Sequence, residues 1–182
     1  MLITAPDGAP YVSHLPFLFE ASSTTQGKLL GHMARANPQW QDFEKNDEVL
    51  VIFQGPHAYV SPSWYTSPGV PTWNYAIVHV QGKARITQTD GELENLLQRL
   101  TAEHETDSPS SWKPELDEQR REKLFGMIVG FEIEITDIQA KFKLSQNRPP
   151  EDQQNVTEKL SRSQDQTERA VALFMQEIYR TK

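Results

Sequence analysis

Residues 51–80, VIFQGPHAYVSPSWYTSPGVPTWNYAIVHV, constrain the fold more than any other stretch. Apolar β-type runs stand at both ends. Between them Pro56, Pro62, Pro68 and Pro71 lock φ and remove backbone donors, so the centre cannot be helical. The same stretch holds Trp64, Trp73 and three of the five Tyr in the chain. A loop this rich in Pro and aromatic rings is expected to cover a ligand, pack on a partner chain, or do both.

The segments before it read as short strands and tight turns. Residues 2–4 are a short apolar start, and Asp7-Gly8 is a hairpin turn signal. Residues 11–20 read as one strand, with Pro16 marking an edge or bulge. Residues 21–26 are polar loop and 28–33 a further strand. Asn37-Pro38 is a helix start, since Asn caps and Pro at the first position loses no useful N–H. Trp40 and Phe43 are expected to face inward from that short helix. Residues 48–53 and 57–60 read as a hairpin turning at Gly55-Pro56.

Beyond the aromatic loop, residues 72–86 form a long strand with a break expected at Gly82. Residues 90–104 change period: Leu93, Leu96, Leu97 and Leu100 make one apolar helical stripe. A loop is expected over 106–114 and a second helix over 114–125. Phe131, Ile133 and Ile135 alternate with Glu132 and Glu134, a strand with one buried face. Phe142 and Leu144 alternate with Lys141 and Lys143 in what reads as the next one. Residues 151–182 are polar until a helix from about Gln164, which reads as a docking helix or partner-binding arm.

Many short strands with hairpin turns predict a mainly β, α+β protein: an antiparallel barrel or sandwich of six or seven strands, with helices as covers. The domain boundaries expected are 1–150, with inserted helices at about 90–125, and a helical tail at 151–182.

Composition narrows the chemistry. The chain has 182 residues and no Cys, which excludes disulfides, thiolate metal sites and a thiol nucleophile. A net charge of −7 disfavours nonspecific contact with phosphate backbones. There is no signal-peptide pattern at MLITAPDG and no apolar run long enough to span a bilayer, so cytoplasmic is the expected location. His14, His32, His57, His79 and His104 show no metal-ligand spacing, and no metal is expected. No GxSxG, GxGxxG or Walker-type loop occurs.

GHMARANPQW, residues 31–40, carries more information. A strand runs into a helix N-terminus with Arg35 and Asn37 at the junction, a plausible phosphate or carboxylate site; the alternative is an ordinary capped helix with a surface Arg. Trp64, Tyr65, Trp73 and Tyr75 read as the wall of a planar ligand or as core and interface packing, which takes most aromatic clusters.

GHMARANPQW, VIFQGPHAYVSPSWY, VPTWNYAIVHVQGKARI and IVGFEIEITDIQAKFKLSQNRP, with the opening LITAPDGAPYVSHLPFLF, together resemble the PaiB-type transcriptional regulators, an FMN-binding family. The resemblance covers about residues 2–160. It implies a split β-barrel, the FMN-binding fold shared with pyridoxamine-phosphate oxidases, acting as a homodimer with FMN at the subunit interface. Members are described as negative regulators of transcription linked to sporulation and protease genes. Carried over, Ser13, His14, His32, Arg35 and Asn37 resemble the flavin-phosphate and ribityl side, and Gln54, Trp73 and Lys143 lie nearer the ring. Trp64 and Tyr65 are then expected as dimer contacts. Two departures stand out: the tens of residues that precede the first strand in the family are absent, and the loop at 66–70 is short.

Three functions follow as expectations. The first is an FMN-binding dimeric negative regulator or sensor, acting on DNA or through a regulatory protein. The second is a flavin-dependent oxidoreductase of the same fold, in which the cofactor carries the chemistry. The third is a flavin-free dimeric interaction module. No side chain stands out as a catalytic acid or base.

Overall fold

The structure, a computed structural model of the chain, describes residues 1–87, 89–105 and 117–180. The loop expected at 106–114 and the first residues of the helix expected from 114 lie outside the described residues. Seven strands form one antiparallel sheet: β1 (Leu2–Thr4), β2 (Tyr11–Ser13), β3 (Leu18–Glu20), β4 (Lys28–Ala34), β5 (Glu48–Val60), β6 (Thr72–Ile86) and β7 (Ile128–Lys143). Helices are α1 (Asp42–Lys45), α2 (Asp90–His104), α3 (Glu118–Phe125), α4 (Pro150–Ser161) and α5 (Gln166–Arg180), with 3₁₀ turns at Pro38–Gln41 and Pro62–Trp64. No helix is long and apolar enough to cross a membrane among the described residues.

Two compact units divide the chain. The first holds residues 1–52 and 80–138, the second 53–79 and 139–182, and β5, β6 and β7 contribute to both.

In the first unit, closure into a barrel follows from strand order. The sheet runs β2-β1-β5-β6-β7-β4-β3, so β2 and β3 are its two edges. Only residues 14–17 join those edges in the chain. A link that short reaches roughly 17 Å when fully extended, so the sheet must curl until its edges meet. β2 pairs with β1 and β3 with β4, so each edge strand has one neighbour in the sheet. The single strand expected over 11–20 is therefore two, parted at the His14–Phe17 segment around Pro16, each half serving a different edge. Inside, Phe131 is fully buried. The rings of Phe17 and Phe43 meet it at 6.1 and 5.4 Å. Helix α2 has the bounds its leucine stripe predicts and sets Leu96 and Leu100 on Leu30 of β4. Its start is fixed by a capping box between Thr89 and Glu92.

Three expected breaks are absent. Gly55-Pro56 lies inside the 13-residue β5. Its glycine serves close approach, not reversal: a Cβ there would sit 3.1 Å from the Cβ of Ala76. Gly82 likewise stays inside β6, where a Cβ would lie 2.5 Å from the carbonyl oxygen of Glu134. The two strands expected around Phe131 and Phe142 are one 16-residue strand, β7.

In the second unit, α4 and α5 pack as a pair. Val156 and Leu160 from α4 and Val171 and Met175 from α5 are fully buried against Val60 and Leu144. The hydroxyl of Tyr179 donates to the Leu144 carbonyl. Helix α4 was expected as polar chain. Its inward face is Asp152, Val156, Thr157 and Leu160, only two of them apolar, which leaves little periodic signal. The C-terminal helix is thus part of this unit's core.

Candidate functional site

Asn37 organises the strand-to-turn junction in the first unit. As N-cap of the Pro38–Gln41 turn, its Oδ1 accepts the amide N–H of Gln39 at 3.0 Å. Its Nδ2 donates to the hydroxyl of buried Ser13 at 2.8 Å. The sequence separates this pair by 24 residues, and the fold brings them together. His14, the neighbour of Ser13, is exposed.

Arg35 is tied into the α3–β7 junction. Its Nε donates to the carbonyl of Gly126 at 2.8 Å and its Nη2 to that of Ile128 at 3.0 Å. The indole N–H of Trp40 donates to the Arg35 carbonyl at 3.1 Å. The element after Asn37 is a four-residue 3₁₀ turn followed by a four-residue helix, and its first free amide is already capped. A helix end this short contributes little dipole to an anion site.

His32 sits on β4 opposite Gly130. It alternates with buried Gly31 and Met33, so it shares the sheet face of Leu30, the face that α2 covers. Its Nδ1 is buried without a partner among the described residues, which leaves hydrogen-bonding capacity unused. Burial lowers its pKa and favours the neutral ring.

Sequence reasoning missed Gln39. It is 1 % exposed, and its Nε2 donates to the carbonyls of Leu2 and Tyr11 at 3.2 and 3.1 Å, pinning the β1–β2 hairpin to the junction. A polar residue in the second position of a short 3₁₀ turn carries no signal of such a role. A cavity of about 590 Å³ lies nearby, lined by Arg35, Trp40, Thr87, Leu93, Arg121 and Phe125 among others. Arg121 is already paired with Glu94 at 2.9 Å and Glu118 at 2.5 Å.

The second unit holds the other candidates. Trp73 is 52 % exposed, with the rings of His57 and Tyr59 at 5.9 and 6.1 Å. The Lys143 ammonium donates to the Thr72 hydroxyl and, at 2.9 Å, to the Trp73 carbonyl. No carboxylate forms an ion pair with it among the described residues. The result is an aromatic face open to solvent beside a cation whose protein partners are neutral. Gln54 is exposed on β5. Trp64 and Tyr65 instead rest on the helical core, and the Arg148 guanidinium lies 4.2 Å over the Tyr65 ring. Both rings are partly buried there.

An exposed indole beside an ammonium offers a stacking surface and a positive charge, and comparison with known proteins gives the family. Residues 1–137 match the family described as "Putative FMN-binding domain", and the chain belongs to that family. It is 41% identical over 177 residues to Protease synthase and sporulation protein PAI 2 of Bacillus subtilis, covering 97% of this chain and 84% of that protein. Among solved structures it resembles the flavocytochrome Anf3 from Azotobacter vinelandii, with a TM-score of 0.55, 15% identity, and 78% and 59% of the two chains covered. The FAD and heme binding protein from Mycobacterium smegmatis matches with a TM-score of 0.51 and 12% identity over 78% of this chain and 63% of that one. These two likenesses carry the fold.

Proposed function

We propose that this chain binds FMN and works as a homodimeric negative regulator or sensor of the PAI 2 type. The observation that carries the reading is the exposed Trp73 beside Lys143. An indole face stacks on a flat heteroaromatic ring, and an ammonium beside it favours negative charge on that ring. Gln54 is available for a ring hydrogen bond. Ser13, His14, His32, Arg35 and Asn37 are proposed for the ribityl chain and phosphate of an FMN held at the subunit interface of the homodimer. The unused Nδ1 of His32 supports this more than Arg35, whose Nε and Nη2 already hold carbonyls.

The homodimer is proposed on the same exposed aromatic surface, since rings of this size left half in water mark a contact site. With a charge of −7, regulation runs through a protein partner rather than by direct DNA contact. Titration of FMN with the purified protein tests the cofactor: quenching of flavin fluorescence at micromolar concentration is expected, and Trp73→Ala weakens it. Sedimentation of the same protein tests the dimer. Reduction of bound FMN by NADH or NADPH would move the reading to an oxidoreductase.

A further inference from the structure

Asp152 is the third residue of α4 and is fully buried, at 0 % exposure. No Lys or Arg among the described residues lies within ion-pair distance of it. Nor does it cap its own helix, whose N-cap is Pro149 and has no side-chain cap bond. Among the described residues, the donors to its carboxylate belong to two loop residues. Oδ1 accepts the N–H of Thr66 at 2.7 Å, the hydroxyl of Thr66 at 3.1 Å and the N–H of Ser67 at 3.5 Å. Oδ2 accepts the hydroxyl of Ser67. A buried carboxylate without a cation is costly unless its lone pairs are satisfied. Here four hydrogen bonds and the positive end of α4 satisfy them. The Ser67 hydroxyl, ahead of the Thr66 amide and hydroxyl, holds this carboxyl below the usual carboxylate range, so it stays ionised.

The hold continues along the loop. Arg148 donates through Nη1 to the carbonyl of Pro68 at 3.0 Å. Gly69 lies so close to the Tyr65 ring that no Cβ fits there. Pro68 and Pro71 fix two more φ angles. The chain then enters β6 at Thr72 and Trp73, the two residues that Lys143 contacts.

We propose that Asp152 is a positioning residue: it pins residues 66–71 to the first turn of α4 and so fixes the Thr72–Trp73 end of β6 against Lys143. Its effect on the cofactor rests on the FMN reading above; the pin itself does not. Ser67→Ala tests it, removing one donor from a loop residue and leaving the helical core intact. Asp152→Asn is a second variant, and Ser67→Thr, which keeps the hydroxyl, is the rescue.

Amide hydrogen exchange is measured on peptides covering residues 64–75 and, as an internal control, β4 in the first unit. In Ser67→Ala, exchange over 64–75 rises at least about tenfold while β4 is unchanged, and FMN affinity falls about tenfold, the loss of one charge-assisted hydrogen bond. Ser67→Thr restores both. The proposal is overturned if exchange over 64–75 is unchanged, or rises equally in β4, which would be general destabilisation. If exchange rises over 64–75 alone while the variant binds FMN as tightly as the wild type, the pin stands and its effect on the cofactor is overturned. A wild type that binds no FMN overturns the cofactor reading instead, and the exchange result then decides the pin alone.

Discussion

Asn37 and Ser13 are joined by a 2.8 Å hydrogen bond from the Asn37 carboxamide to the Ser13 hydroxyl. Because Asn37 also caps the following turn, one side chain fixes both the turn and the end of β2. Asn37→Ala should lower stability by about 1–2 kcal/mol, the usual cost of losing a cap plus a partly buried hydrogen bond. Asn37→Asp keeps the capping oxygen and can accept from Ser13, so it should cost far less. Urea denaturation of the two variants distinguishes them.

Gly82 on β6 lies close against the Glu134 carbonyl of β7. A Cβ at Gly82 would lie 2.5 Å from both that oxygen and Cγ2 of Ile133. Gly82→Ala should therefore destabilise by about 1–3 kcal/mol, since backbone cannot move aside as a side chain can. Gly91, in the first turn of α2, has open space around it. Gly91→Ala should be neutral or stabilising by up to about 1 kcal/mol. Thermal denaturation of the pair checks the contrast.

The two tryptophans of the aromatic stretch should behave differently. Trp64 packs on the helical core of the second unit, whereas Trp73 is half in water. Trp64→Ala should cost about 2–4 kcal/mol of stability. Trp73→Ala should cost under about 1 kcal/mol while weakening FMN binding and self-association. Denaturation, FMN titration and sedimentation on both variants test the division.

His32 makes stability depend on pH near neutrality. Burial depresses its pKa in the folded chain, so the unfolded chain binds the proton first as pH falls. Stability is then fully present above about pH 6.5, the unfolded value, and declines as pH drops toward the folded value. His32→Gln should flatten the denaturation midpoint between pH 7.5 and 5.5, measured against the wild type.

Much of the barrel is visible in the alternation of apolar and polar residues, because a sheet with one buried face has period two. FEIEI marks β7, and the leucine stripe gives α2 its bounds. The strand lengths are less visible. Gly55, Pro56 and Gly82 carry turn chemistry, yet the glycines serve close approach of neighbouring strands, which only tertiary structure specifies. Helix α4 is hidden because buried Asp152 and Thr157 take the place of apolar residues on its inward face. At the candidate site, Asn37 is readable as a cap, but its bond to Ser13 and the engagement of Arg35 by two carbonyls depend on how distant segments meet.

The most direct test of the central claim is FMN titration of the purified protein followed by flavin fluorescence. The account predicts saturable quenching in the micromolar range, weakened by Trp73→Ala and by Lys143→Ala. A flat titration with well-folded wild-type protein, or saturable binding indifferent to both substitutions, would contradict it.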